Sequence, residues 1–163
     1  MSLKVQMQDD GKVRNTLAVA YRNDSYSDVF PGGNYKNYVQ ILLPPNSQVA
    51  SVKIDDKPVK DYTETNFNYK TLGFLVEVPP QSNRTVVVEY TLPISVISGD
   101  GIYQLIFQKQ IGSPNLDFNL KFQFPDSVTI RNKNLSPLVK DHEIHYNTSI
   151  SSDQIFLIDF SKN

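Results

Sequence analysis

Two histidines, His142 and His145, lie on either side of Glu143 and are the residues best suited to metal binding or acid–base chemistry. Imidazole titrates near neutral pH and is a common zinc ligand. In a β-strand, however, residues three positions apart point to opposite faces of the sheet. The two rings would converge on one ion only at a bulge or a helical turn. The sequence therefore favours two polar surface histidines over a metal site.

The remaining material for catalysis is sparse. The chain has no cysteine, so it offers no thiolate nucleophile, no disulfide and no cysteine-ligated zinc. The nucleophile motif G-x-S-x-G is also missing from the sequence. Aspartates cluster in turn-like segments such as Asp9-Asp10-Gly11 and Asp55-Asp56, where they cap backbone donors. We predict no enzyme and no catalytic, cofactor-binding or metal-binding residue. A carboxylate-dependent hydrolase stays open, because such pairs assemble in space rather than in sequence.

A tyrosine-rich segment between Tyr26 and Tyr38 is the best candidate for ligand binding. Exposed tyrosines beside Asn and Asp can stack on sugar rings and bind hydroxyls, which makes Tyr26, Tyr35 and Tyr38 candidate glycan-binding residues. Long loops in β-sandwiches also use aromatic side chains to plug the open end of the core. The sequence favours the plug and keeps the glycan site as an alternative.

Lys109 occupies one of the alternate positions that are otherwise apolar in its strand, after Tyr103, Leu105 and Phe107. A buried ammonium group is costly unless it is paired, so we expect this lysine to reach solvent at a sheet edge or to meet a carboxylate. Some bacterial surface sandwiches instead link a buried lysine to an asparagine, with an acid as proton shuttle. Glu77 and Glu89 are the acids that would suit such a crosslink.

The elements that must position these residues are β-strands. Val, Ile, Thr, Tyr and Phe make up about a third of the 163 residues, whereas alanine occurs three times and glutamate four times. Apolar and polar residues alternate from end to end, most clearly at Phe118, Leu120, Phe122 and Phe124. The pattern predicts an all-β protein, an antiparallel β-sandwich of about 10–12 strands with an immunoglobulin-like layout.

One local pattern recurs where strands end: proline, a polar residue, serine and then a new strand. It occurs at Pro44–Ser47, Pro79–Ser82 and Pro125–Ser127 and predicts tight returns, because proline cannot donate to a ladder. We predict a single domain over residues 1–163. The alternative is two small β modules that divide near residues 93–101.

Net charge and hydropathy argue against nucleic-acid binding and against a membrane span. The 16 basic and 17 acidic residues give a formal charge of −1, without the clustered basic excess of a nucleic-acid-binding protein. No apolar stretch approaches the roughly 18–20 residues that a membrane span needs. The opening Met1-Ser2-Leu3 is typical of an expression start on an excised domain.

Several motifs together resemble the C-terminal region of a family of bacterial cell-envelope proteins of unknown function, whose N-terminal part is membrane-anchored. The motifs are Arg22-Asn23-Asp24-Ser25, Gly33–Tyr38, Ile41–Pro44, Gly73–Pro80, Val88–Pro93, Tyr103-Gln104-Leu105 and Gln108–Gly112. The resemblance implies a place outside the cytoplasm, at the cell surface or in the envelope.

We therefore expect a non-catalytic structural or interaction module, without a cofactor. The expected partners are cell-wall polysaccharide or another envelope protein. A carbohydrate-binding module is the first alternative and a carboxylate-dependent hydrolase the second.

Overall fold

The computed structural model describes residues 1–30, 32–95, 99–109, 111–112 and 114–163. Within these ranges the chain forms fourteen β-strands and no helix, which confirms the all-β prediction. The predicted break near 93–101 and the motif Gln108–Gly112 lie partly outside the described residues. The strands are β1 (Ser2–Met7), β2 (Lys12–Asn23), β3 (Tyr35–Leu43), β4 (Gln48–Ile54), β5 (Lys57–Pro58), β6 (Thr63–Asn66), β7 (Lys70–Val78), β8 (Ser82–Ser95), β9 (Gly99–Phe107), β10 (Leu116–Gln123), β11 (Val128–Lys133), β12 (Leu138–Lys140), β13 (Glu143–Ile150) and β14 (Gln154–Lys162).

The chain divides into two compact units. The terminal unit contains Met1–Asn15 and Ile94–Asn163, and the central unit contains Thr16–Pro93. The boundary at Pro93 falls in the region where the sequence suggested a break, but the terminal unit also includes the first fifteen residues. That both ends of the chain belong to one unit was not part of the two-module alternative. The single-domain assignment stays a prediction, as does the immunoglobulin-like layout.

The terminal unit contains two sheets. One holds β12, β13, β10 and β1 in that order, with the first residues of β2 alongside β1, and the other holds β11, β14 and β9. The β10–β13, β11–β14 and β9–β14 pairs are antiparallel, whereas β1 and β10 run parallel, with Leu3 beside Leu120 and Val5 beside Phe122. Aligned strands of either direction show the same alternation of side chains, so the sequence pattern could not reveal this exception.

Aromatic rings fill the space between the sheets of the terminal unit. Phe118, Leu120 and Phe122 are at most 1% exposed, as predicted, whereas Phe124 is half-buried. The ring of Phe118 lies 5.2 Å from that of Phe107 on β9 and 5.4 Å from that of Phe156 on β14. Phe122 contacts Tyr103 on β9 at the same 5.2 Å spacing. Strand β10 thus supplies the side chains that hold the two sheets together.

The central unit repeats this arrangement with aliphatic residues. One sheet holds β3, β7 and β6. The other strands pair side by side in the order β2 (from Thr16 onward), β8, β4 and β5. Alternate residues of these strands form one buried cluster, because each strand buries one face. The cluster consists of Val39, Leu43, Val52, Leu72, Phe74, Val76, Val78, Val86, Val88 and Tyr90.

Two of the three Pro-x-Ser turns, at Pro44–Ser47 and Pro79–Ser82, have a common geometry, whereas the buried hydroxyl of Ser127 in the third makes no hydrogen bond to the described residues. The hydroxyl of Ser47 donates to the carbonyl of Pro44 at 2.8 Å, and that of Ser82 donates to the carbonyl of Pro79 at 2.7 Å. The residue before each serine, Asn46 or Gln81, has a positive φ of 64° or 53°. The serine hydroxyl therefore satisfies a carbonyl left over at the end of the preceding strand.

We predict that Phe122→Ala lowers the free energy of unfolding by about 3–5 kcal/mol, because it removes a fully buried ring and leaves a cavity. Urea denaturation followed by circular dichroism measures this change. Phe67→Ala is the matched control, since Phe67 is 87% exposed, and should cost less than about 0.5 kcal/mol. Equal effects of the two substitutions would contradict the assignment of β10 to the core.

Candidate functional site

The outer face of the β3–β7–β6 sheet carries the most unusual exposed side chains of the central unit. Strand β3 points Val39 and Leu43 into the core, which leaves Tyr38 and Leu42 on the outside. Tyr38 is 54% exposed, Leu42 58% and Leu75, opposite Tyr38 on β7, 51%. Gln40 lies between Tyr38 and Leu42 on the same side and is also exposed. We call this surface, comprising Tyr38, Gln40, Leu42 and Leu75, the Tyr38 face.

The Tyr38 side chain is held in a defined orientation. Its hydroxyl lies 3.0 Å from Oγ1 of Thr63 on β6, and Thr63 Oγ1 donates to the carbonyl of Gly73 on β7 at 3.2 Å. Thr63 has one hydroxyl proton, so Tyr38 acts as the donor to Thr63. A methyl group on Gly73 would overlap the Tyr38 hydroxyl and lie 2.9 Å from its ring carbon Cζ. Glycine at position 73 therefore makes room for the tyrosine to lie over β7.

This arrangement has a structural and a functional consequence. An aromatic ring that covers a strand glycine shields exposed backbone, a device that also stabilises sheets. The same ring, fixed by its hydroxyl and half open to solvent, is a platform on which a flat apolar surface can stack. The geometry thus supports stacking at little further cost in side-chain entropy.

The three predicted glycan-binding tyrosines do not form one surface. Tyr35 and Tyr38 lie three residues apart on β3 and therefore on opposite faces. Tyr35 lies near Tyr21, whose pKa is raised mainly by burial and secondarily by the Tyr35 phenol. Tyr26 is 93% exposed in the segment between β2 and β3, as is Phe30 at 92%. Tyr26 and Phe30 thus do not plug the core, and Tyr38 is the candidate with a built environment.

Asn23, at the end of β2, fixes both ends of this segment. Its amide nitrogen donates to the carbonyls of Gly33 at 2.9 Å and Val78 at 2.8 Å. Its side-chain oxygen accepts from the backbone N–H of Ser25 at 3.1 Å and from the Ser25 hydroxyl at 2.8 Å. Asn23 is 9% exposed. Sequence reasoning missed this role, although Asn23 lies in one of the motifs that carry the family resemblance.

The two histidines contact different carboxylates. His145 Nε2 lies 2.8 Å from Glu143 on β13, and His142 Nε2 lies 3.3 Å from Asp126. His142 occupies the turn between β12 and β13, and its ring packs against Phe124. In the part of the chain that the structure describes, no three His, Cys, Asp or Glu side chains come together as metal ligands. His142 is exposed and His145 is half-buried, and the preference for two polar surface histidines stays a prediction.

Glu143 is the centre of a polar cluster on β10 and β13. Its carboxylate accepts hydrogen bonds from Lys121 Nζ at 2.8 Å and Gln123 Nε2 at 2.6 Å, in addition to its contact with His145. The Lys121 hydrogen bond, followed by those of Gln123 and His145, lowers the pKa of Glu143 from 4.5 to about 2. These partners keep the carboxylate ionised and hydrogen-bonded, so it is poorly suited to act as a proton carrier near neutral pH.

A cavity of about 380 Å³ lies in the terminal unit. Its lining comes from the segment 135–138 and from β13 and β14, and includes His145, Thr148 and Gln154. No aspartate or glutamate lines it. The cavity therefore offers hydrogen-bonding groups but lacks the facing carboxylates that a glycosidase-type hydrolase uses.

Lys109 follows the end of β9 and is half-buried, and its backbone N–H donates to Asp153 Oδ1 at 2.8 Å. Of the two acids considered for a crosslink, Glu77 pairs with Lys36 at 3.2 Å and Glu89 accepts from Ser51 at 2.6 Å. The crosslink stays a prediction.

The lysine that the fold does bury is Lys162, 6% exposed, whose ammonium donates to the Asp9 carbonyl at 2.9 Å. The sequence could have indicated this burial, because Lys162 occupies the same alternate positions of β14 as Phe156, Ile158 and Phe160.

No family model and no curated protein matches the chain. Among solved structures, a protein from Legionella pneumophila whose proposed role is nutrient binding superposes with a TM-score of 0.59 and 10% identity, over 98% of this chain and 65% of that one. Yeast LTA4 hydrolase in complex with bestatin gives 0.54 and 9% identity, over 97% of this chain and 27% of the hydrolase. This likeness shows the fold alone. The chain spans about a quarter of the hydrolase and less than two thirds of the Legionella protein.

The described residues include no helix of the length and hydrophobicity that a membrane crossing requires.

We predict that Lys121→Met raises the pKa of Glu143 from about 2 towards 4.5, because Lys121 provides the largest stabilisation of its carboxylate. The Glu143 carboxyl can be followed by NMR titration. Lys12→Met is the control and should leave the Glu143 pKa unchanged, since Lys12 lies in the same unit but pairs with Asp10 at 2.9 Å.

The lowered pKa of Glu143 determines how the stability of the fold depends on pH. Glu143 contributes stability that is fully present above its unfolded pKa of about 4.5 and is lost as the pH falls through about 2. Stability of the wild type should therefore fall over this range more steeply than that of Lys121→Met. A Glu143 pKa near 4.5 in the wild type would contradict the cluster.

Proposed function

We propose that this chain is a non-catalytic interaction module of a bacterial envelope protein and acts outside the cytoplasmic membrane. The observation that carries the proposal is the Tyr38 face, where a tyrosine hydrogen-bonded to Thr63 shares an exposed sheet face with two leucines. Exposed apolar surface of this kind is typical of binding sites. The extracytoplasmic location rests on the sequence resemblance to the envelope family.

The ligand class that best fits the Tyr38 face is cell-wall polysaccharide. Sugar rings have apolar faces that stack on aromatic side chains, and their hydroxyls need donors and acceptors at the edge of the contact. Gln40, beside Tyr38, supplies such an amide, and Lys36 and Glu77 on the same side of the sheet form an ion pair at 3.2 Å. A folded sheet that presents a pre-oriented ring needs no catalytic group for this role.

A purely structural spacer is the second candidate. It is favoured by the exposed ionic groups, many of which pair with a neighbour in their own unit, as Lys12 does with Asp10 at 2.9 Å and Lys36 with Glu77 at 3.2 Å. Such a surface is suited to remaining soluble between other parts of a longer chain. A spacer would need no polysaccharide affinity.

Affinity electrophoresis in gels that contain purified soluble cell-wall polysaccharide separates the two candidates. We expect the wild type to be retarded and Tyr38→Ala to lose most of the retardation, because the stacking platform is removed. Tyr35→Ala is the matched control, since Tyr35 is 46% exposed but lies on the opposite face of β3, and it should bind like the wild type.

Unretarded wild type would overturn the polysaccharide role and leave the spacer. Equal losses in both variants would show that binding, if any, does not use the Tyr38 face. Circular dichroism of each variant verifies that the sheet structure is retained.

A further inference from the structure

Within the part of the chain that the structure describes, strand β9 is an open edge whose one charged residue, Asp100, lies near its start. It forms one side of the β11–β14–β9 sheet, and its only strand partner among the described residues is β14. Natural proteins protect such edges with charges, prolines or bulges, because unpaired backbone groups attract further strands. From Gly101 to Gln108, β9 and the residue after it contain no charged residue and no proline. Its pairing with β14 is regular over nine residues.

The outer face next to this edge carries four exposed aliphatic side chains, with Asp159 lying opposite Ile102. Ile102 is 69% exposed and Ile106 57% on β9, and Ile155 is 46% and Leu157 37% exposed on β14. Register places Ile106 directly opposite Ile155 and Gln104 opposite Leu157. We call these four aliphatic side chains the Ile106 face. Exposed branched side chains gathered on one face mark a contact surface rather than scattered surface residues.

The inner side of β9 is also incompletely covered. Tyr103, Leu105 and Phe107 point towards the core but are only half-buried. Their counterparts on β14, Phe156 and Ile158, are fully buried at 0% exposure. A strand added beside β9 would lie next to the exposed Ile102 and Ile106 on the outer face and next to these inner side chains.

We propose that the added strand is β9 of a second copy of this chain, paired antiparallel about a two-fold axis at Gln104. In this register Ile102 lies opposite Ile106 of the other copy on the outer face, and Gln104 lies opposite itself. Tyr103 lies opposite Leu105 on the inner face. The two three-stranded sheets then form one six-stranded sheet, an isologous dimer made by strand addition.

The sequence of β9 selects this register over its neighbours. Outer side chains pair with outer side chains only when the numbers of two paired residues add up to an even number. This holds whenever the two-fold axis passes through a residue. Centring the axis on Tyr103 would place Asp100 opposite Ile106, and centring it on Leu105 would place Ile102 opposite Gln108. The Gln104-centred register alone matches isoleucine with isoleucine, and it opposes the charged Asp100 to the neutral Gln108.

Sedimentation velocity over a range of protein concentrations tests the dimer. We expect the wild type to show a reversible monomer–dimer equilibrium. Gln104→Lys and Gln104→Glu should each raise the dimer Kd by about tenfold or more, because two like charges face each other at the axis. Gln104 is exposed, so both variants should keep the melting temperature of the wild type when all are measured at a concentration where the wild type is monomeric. An equimolar mixture of the two variants should restore the dimer, since opposite charges then meet.

Gln108→Lys is the matched control on the same strand. It adds the same charge four residues away, where the proposed register places it opposite Asp100 of the other copy, and it should leave the dimer intact or strengthen it. Wild type that stays monomeric at all concentrations would overturn the proposal. So would a dimer that tolerates Gln104→Lys, or a mixture of Gln104→Lys and Gln104→Glu that fails to associate.

Discussion

Each strand of this chain can bury only every second side chain, and this constraint explains the layers within both units. A row of apolar residues on one strand is stable only when another sheet covers it, as β9 and β14 cover Phe118 on β10. The opposite row must then face water. In most strands that row is polar, for example Lys121 and Gln123 around Glu143. The exceptions are the places where function is to be sought.

Two outer faces depart from this rule, and they differ in kind. On the Tyr38 face, a tyrosine is fixed by a hydroxyl chain through Thr63 to the Gly73 carbonyl, so a single oriented ring is presented. On the Ile106 face, branched aliphatic side chains lie next to an open strand edge. The first arrangement suits stacking against a flat ligand, and the second suits the extension of a sheet. The two proposed contacts use different units and are therefore testable independently.

Sequence reasoning predicted those features that follow from the period of two. The burial of Phe118 and Phe122 is of this kind, whereas His142 lies in the turn before β13, where strand alternation does not apply. The same rule separates Tyr35 from Tyr38, although the sequence hypothesis grouped them. Strands of two or three residues, such as β5 and β12, are too short to show alternation, so the structure has more strands than predicted. The role of Asn23 depends on carbonyls of Gly33 and Val78, which only the fold brings within reach.

Native-state amide hydrogen exchange tests the layered arrangement most directly, because it reports backbone pairing strand by strand. Strands β7, β10 and β14 each have a paired strand on both sides, whereas β5 and β12 pair on one side over two or three residues. The account predicts the slowest exchange in β7, β10 and β14 and fast exchange in β5 and β12. Exchange in β10 and β14 as fast as in β12 would contradict it.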